Sequence, residues 1–439
     1  MRIIYILLIL ATIYSCKEET KDFSHLNDHT DYSHKGIKKV TDVIIHDIFS
    51  PPVASRIYMY SSIAAYETAR HMDSTLLSLT GQIKHMPALP LPDKNMAYCW
   101  PLASYIAFNN TAKHMIFSED SITKFNDQVI EYFKNNGLPK AVLQRSIDFG
   151  MKVSLEVINW TKGDNYAQTR SYPKYNVTDQ EGRWFPTPPA YMDAIEPSWN
   201  KIRPLLLQSA DQFKPAPPTP FDMNKSSQFY KEVLEVYEVG KNLTEEQSEI
   251  ANFWDCNPYK LNVIGHVMHA SKKITPGGHW MGIAGIAAKK SNYNIAKTWM
   301  TYAFTAIGLF DGFISCWDEK FRSNLIRPES VINKYIDENW APLLQTPPFP
   351  EYTSGHSVVS GASVEILTHI FGENFAYSDD TEVAYGLPIR DYTSFYQAGE
   401  EASISRLYGG IHYRPAVELG LNQGKTLGKY VASQLKFTR

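Results

Sequence analysis

Three short segments in the last third of the chain collect the residue types that hold and act on an anion. In KFRSNLIRP, Lys320 and Arg327 stand seven residues apart. That is two helical turns, so the spacing predicts both cations on one helix face, with Trp317 three residues before Lys320 on the same stripe. Pro328 disfavours helical geometry at Arg327 and ends the segment there. In PPFPEYTSGHS, prolines break structure up to Thr353, and Ser354-Gly355-His356 then opens a helical run, SVVSGASVEILTHIF. A helix start offers unpaired N–H groups and partial positive charge, a ready place for an anion. Ser354 adds a hydroxyl, Gly355 lets the backbone come close, and His356 stands in the first turn as a proton donor. In SRLYGGIHYRP, Gly409-Gly410 forces a turn that lets Arg406 and His412 aim at one point. Pro415 suits the first turn of a C-terminal helix over 416–435.

Taken singly, these segments read as a solvated basic face, a helix cap and a histidine beside a loop. Taken together they differ. Like charges repel at close range, so three cations, a Ser-Gly helix start and two histidines form a pocket for a tetrahedral oxyanion of several negative charges.

The elements that position these residues are helical. Apolar residues recur at helical spacing over 40–49, 53–71, 121–135, 141–161, 227–239 and 247–254. Ser50-Pro51-Pro52, Asn136-Gly137 and the capping box Thr244-x-x-Gln247 punctuate them. Strand-like alternation is scarce. Residues 163–221 are rich in proline and aromatics, which predicts a long ordered excursion over the surface. The fold expected is mainly α, two helical bundles with long irregular connections. An N-terminal helical part covers 37–221, and a C-terminal bundle over 222–439 carries the anion site.

Composition bounds the function. With 439 residues, 44% hydrophobic and 13% aromatic, the chain can bury a large core and is not disordered. A net charge of −3 provides no basic field for nucleic acid or an anionic membrane. Four cysteines are too few for a disulfide framework. The apolar stretch 298–317 contains Asp311, whose insertion at mid-bilayer costs about 2.5–3.5 kcal/mol, so it reads as a buried helix of the bundle. The start MRIIYILLILATIYSC resembles a bacterial lipoprotein signal. It implies a signal peptide over 1–15, a lipid anchor at Cys16 and a flexible tether over 16–36. No membrane span is expected after signal removal, and the chain would be exported and anchored in the periplasm or on the outer-membrane surface.

KFRSNLIRP, TSGH and SRLYGGIH are similar, in order and spacing, to the three signatures of the acid phosphatase and vanadium haloperoxidase superfamily: Lys-x6-Arg-Pro, Pro-Ser-Gly-His and Ser-Arg-x5-His. PPFPEYTSGHS, Trp317 before Lys320, LTEEQSEIANFW and TPGGHW look more like the bacterial vanadium haloperoxidases. The resemblance implies an enzyme with one vanadate per chain that oxidises a halide with hydrogen peroxide to hypohalous acid. His412 would bond vanadium. Lys320, Arg327, Arg406, Ser354 and the Gly355 N–H would hydrogen-bond the vanadate oxygens. His356 would be the general acid and base, with a pKa near working pH, and Lys320 the donor to peroxide. Trp317 and Phe349 correspond by spacing to pocket residues of the family, and Tyr259 is a further candidate for the halide pocket. Iodide, the most easily oxidised and most weakly hydrated halide, is the expected substrate, with bromide open.

Two departures stand out: Thr353 replaces the signature proline, and Ala416 stands where the family often has an acid that orients the last histidine, with Glu418 two places on. The rival reading is an exported acid phosphatase in which His412 attacks phosphorus and His356 protonates the leaving oxygen. A substrate-binding surface lipoprotein is the alternative outside catalysis.

Overall fold

The computed structural model describes residues 22–27, 29–258, 260–264, 267–271 and 273–438. The segment read as a signal peptide, Cys16 and Tyr259 lie outside the described residues. The helices of the first half are α1 Ser24–Asn27, α2 Asp31–His46, α3 Pro51–Ala69, α4 Trp100–Lys113, α5 Glu119–Asn135, α6 Lys140–Thr161 and α7 Tyr166–Thr169. The second half adds α8 Gln228–Lys241, α9 Glu245–Phe253, α10 Pro276–Lys290, α11 Ile295–Ser323, α12 Pro328–Tyr335, α13 Gly355–Phe371, α14 Phe395–Tyr408 and α15 Arg414–Gln434. Four short strands among the described residues form two antiparallel pairs, β1 Lys260–Ile264 with β2 Val267–Ser271 and β3 Tyr377–Asp379 with β4 Arg390–Tyr392. The mainly α expectation holds, and the expected caps form: Ser50 accepts from the Val53 N–H, and Thr244 and Gln247 close a capping box. No described helix is long and apolar enough to cross a membrane.

The long helix α11 is the axis. It packs against α3 on one side and α13 on the other, so the helices before and after residue 222 share one core. Helices α13 and α15 approach until backbones touch. A Cβ on Gly361 would lie 2.5 Å from the Leu421 carbonyl oxygen, and one on Gly424 2.0 Å from that of Val358. Only glycine permits this seam. Its upper end is closed by the Ser354 N–H donating to the Ala416 carbonyl, which sets the start of α13 beside the start of α15.

Two expectations need correction, and a third needs an addition. The described residues of 24–36 are not a free tether: Leu26 and His34 are buried, and Gly36 lies against the Tyr105 and Phe108 rings. The polar composition of that stretch conceals the buried stripe Ser33, Gly36, Ile37 and Val40, which sits at helical spacing. The excursion over 163–221 is ordered and largely exposed, as expected, yet it is anchored in the core by the fully buried Trp184 and Trp199. Finally, α11 stops at Ser323 because Asn324 turns left-handed (φ 50°, ψ 39°), and Arg327 is extended (φ −79°, ψ 151°). Lys320 and Arg327 therefore do not share a helix face.

Asp311 anchors the excursion. Its buried carboxylate, in the middle of α11, accepts the N–H groups of Leu205, Leu206 and Leu207 at 2.8, 2.9 and 3.3 Å. The charge that argued against a membrane span is thus a docking point. Asp311→Ala leaves those donors without this acceptor, at about 1–3 kcal/mol each. A fall in thermal midpoint of about 5 °C or more is expected; a midpoint unchanged within about a degree would show that the anchor lies elsewhere.

Candidate active site

Lys320 projects from the last turn of α11, and its ammonium is fully buried. It donates to the carbonyls of Pro350, Glu351 and Thr353 at 3.0, 3.1 and 2.6 Å. Those three bonds use all three of its protons, so Lys320 must release a carbonyl before it can donate to a guest. Burial, with the neighbouring Arg327 charge, lowers its pKa to about 7.

Arg327 is the N-cap of α12. Its Nε donates to the Phe349 carbonyl at 2.9 Å and its Nη1 to that of Ile411 at 2.8 Å. Its Nη2 is buried with no partner among the described residues. Burial lowers its pKa to about 10, which leaves it cationic at neutral pH. Although the shared helix face is lost, the two cations meet on another element. The Lys320 and Arg327 head groups lie 5.0 and 5.1 Å from the Phe349 ring.

Ser354 caps α13, accepting from the Ser357 N–H, and Gly355 opens the helix. A Cβ on Gly355 would stand 3.5 Å from the Trp317 ring and 4.0 Å from Lys320 Cε, so the missing side chain leaves a cradle beside the lysine. Arg406, in the last turn of α14, is held by Ser405 Oγ and the Ala251 carbonyl. Gly410 turns the chain with φ +75° and brings His412 back. Gly355, His356, Arg406, His412, Trp317 and Phe349 all line one cavity.

The two histidines differ. His412 Nδ1 lies 2.8 Å from Glu351 Oε1, and its Nε2 lies 3.2 Å from Arg327 Nη1. Burial and the charges of Arg327, Lys320 and Arg406 hold its pKa well below the usual range. The ring is neutral, with its proton on Nδ1 and a lone pair on Nε2. His356 donates to the Trp254 carbonyl, and its Nε2 is buried without a partner among the described residues. Burial, Arg406 and His279 push its pKa well below the usual range, so the expectation of a value near working pH fails. In this cationic surround His356 is neutral and a proton acceptor.

Sequence reasoning missed Glu351. The only signal was one acid within the otherwise uncharged run PPFPEYTSGH. Glu418, the displaced acid, is exposed and pairs with Arg414 at 3.4 Å, away from His412. Behind the cavity, Cys256, His279 and Glu382 also converge. There Asp379 lies 2.8 Å from His279 Nε2 and Glu382 3.3 Å from Nδ1. Burial opposes charging His279, but the two carboxylates outweigh it and raise its pKa well above normal. Cys256, Asp379 and Glu382 thus surround the buried His279 ring. Cys99, Cys256 and Cys316 are all free and buried.

Residues 300–438 match the family described as the VCPO second helical-bundle domain. The crystal structure described as the first bacterial vanadium-dependent iodoperoxidase is 50% identical, with a TM-score of 0.88, covering 93% of this chain and 97% of that one. The chain belongs to the vanadium-dependent haloperoxidases. Two structures of a bacterial vanadium-dependent chloroperoxidase share the fold at 15% identity. The holo form has a TM-score of 0.67 and covers 88% of this chain and 93% of its own; the apo form has 0.68, with 87% and 92%. No curated protein matches the chain.

The haloperoxidase cofactor is vanadate, and the residues present fit it. The unpartnered Arg327 Nη2 and His356 Nε2, the Gly355 cradle and the His412 Nε2 lone pair are the donors and acceptors that a small tetrahedral oxyanion and its metal require. Because Lys320 titrates near 7 and an anion favours its charged form, vanadate affinity should fall as pH rises through and above that value, by at most about tenfold per pH unit. Equilibrium titrations with vanadate across this range, on wild type and Lys320→Met, check this. The variant should lose affinity and flatten the slope, whereas an unchanged slope would remove Lys320 from the site.

Proposed function

We propose that this haloperoxidase oxidises iodide with hydrogen peroxide to hypoiodous acid. His412 Nε2 is the protein's bond to vanadium. Arg327, Arg406, Ser354, the Gly355 N–H and the Lys320 charge hold the vanadate oxygens. The observation that carries this reading is the His412 ring on the wall of the cavity that Arg406 also lines, its Nδ1 on Glu351 and its Nε2 beside Arg327, in a chain half identical to a protein described as an iodoperoxidase.

Bound vanadate supplies a Lewis acid that activates peroxide without changing its own oxidation state. The chain supplies the rest. His356, neutral with Nε2 free, takes a proton from the entering hydrogen peroxide and returns one as water leaves. The buried cations draw negative charge onto the reacting oxygens in a site that screens poorly. One part of the cavity lining is apolar: Phe313, Trp317, Phe349, Pro276 and Pro347. Such a wall asks an entering halide to shed water, which iodide does most easily. The chain would act outside the cytoplasm on a lipid anchor at Cys16; the pattern of its first sixteen residues supports this.

The test is purified protein with orthovanadate, hydrogen peroxide and each halide in turn, run beside a phosphate-ester hydrolysis assay. Iodide should be oxidised at least about tenfold faster than bromide, a difference of about 1.4 kcal/mol in barrier, and chloride not at all. Equal rates with bromide would overturn the iodide assignment, and hydrolysis without oxidation would favour the phosphatase. His412→Ala should fail to retain vanadate through gel filtration; retention would displace His412 as the ligand.

A further inference from the structure

We infer that Glu351 is the positioning residue of His412, taking from the loop before α13 the part that an acid at position 416 would otherwise play. This rests on the reading that His412 bonds vanadium. Glu351 is fully buried. Its Oε1 accepts the His412 Nδ1 proton at 2.8 Å and the neighbouring Tyr413 backbone N–H at 3.0 Å. One oxygen atom thus fixes both the ring and the backbone that carries it. With Nδ1–H committed, the remaining lone pair is on Nε2, the nitrogen that faces Arg327.

The backbone of Glu351 is held in turn. Its N–H donates to the Leu325 carbonyl, two residues before Arg327, and its carbonyl accepts from Lys320 at 3.1 Å. The flanking carbonyls of Phe349 and Pro350 take Arg327 Nε and Lys320 Nζ. Three consecutive residues therefore fix the positions of the ligand histidine and two of the three cations. A local helix-borne acid would orient the ring alone. The loop-borne acid links ring orientation to cation placement, so a shift in 349–351 would move all three groups together. Glu351 touches neither cation through its side chain, and it acts through His412.

Glu351 Oε2 has no partner among the described residues, which makes glutamine a near-isosteric control. Glu351→Gln keeps an acceptor at the Oε1 position and removes the charge; Glu351→Ala removes the acceptor. Vanadate affinity and the vanadium NMR signal, measured without peroxide or halide, distinguish them. Glu351→Ala should weaken vanadate binding about 10–100-fold and shift the vanadium resonance. Glu351→Gln should stay within about threefold of wild type, the difference between charged and neutral acceptors being modest once both bonds are kept.

Histidine nitrogen NMR on wild type should show His412 protonated at Nδ1. The assignment is overturned if Glu351→Ala binds vanadate within about twofold of wild type with an unshifted resonance. It is also overturned if Glu351→Gln loses as much as Glu351→Ala, which would make Glu351 a charge and not an acceptor, or if wild-type His412 carries its proton on Nε2. Should Glu351→Ala not fold, the glutamine variant and the wild-type tautomer still decide. An enzyme that binds vanadate normally but leaves iodide unoxidised would sink the proposed substrate and leave this inference standing.

Discussion

Everything in this protein's site depends on keeping Lys320, Arg327 and Arg406 buried beside one another and beside an uncharged histidine. In water three such cations would separate. In a protein interior their repulsion is larger and their lost hydration larger still. The chain meets both demands with backbone carbonyls. Pro350, Glu351 and Thr353 take Lys320, Phe349 and Ile411 take Arg327, and Ala251 takes Arg406. These acceptors solvate the cations without neutralising them, so positive charge remains for an oxyanion. Of the buried carboxylates near them, Glu351 is spent on His412.

That arrangement explains why the site is built from irregular chain. A carbonyl inside a helix already accepts a bond, so a ring of available carbonyls has to come from an extended segment such as 349–353. Helices deliver what helices are suited to deliver: a lysine near the end of α11, an N-cap serine with free N–H groups at the start of α13, an arginine in the last turn of α14. The extended loop then converts these into one pocket. Regular elements set the distances to within a turn, and the loop sets the final direction of each charge.

Support comes from packing further out. The glycine seam between α13 and α15 lets Ser354 reach the Ala416 carbonyl, and so brings the anion-binding helix start within reach of the turn that carries His412. The excursion is pinned to α11 by Asp311 and to the site by the Trp317 indole, which donates to the Ile195 carbonyl at 3.1 Å. Trp317 is thereby a wall of the cavity and a clamp on the excursion at once. The neutral state of both histidines follows from the same burial, because each lies close to cations that penalise a further positive charge.

Much of this was legible in the linear order of residues. Helical periodicity, the caps at Ser50 and Thr244, the helix start at Ser354 and the turn at Gly409-Gly410 are local, decided within a few residues by backbone geometry and capping, and all stand as expected. The residues brought to the site were readable as well, since each lies in a short signature of fixed spacing; Tyr259 falls outside the described residues. The failures were of another kind. The common helix face for Lys320 and Arg327 was lost because Asn324 ends the helix, a preference too weak to read from one residue type. The packing of 24–36 and the partners of Asp311 depend on contacts far away in sequence. Glu351 was missed because an acid sixty-one positions before a histidine carries no local sign of its partner.

The amino-acid order by itself determined which side chains could hold an oxyanion and which local elements would carry them, because those choices rest on short-range geometry. Only the tertiary structure decided which nitrogen of His412 faces the site, that Lys320 has its protons already engaged, and that His356 is neutral, because each follows from burial and from charges brought together by the folded chain.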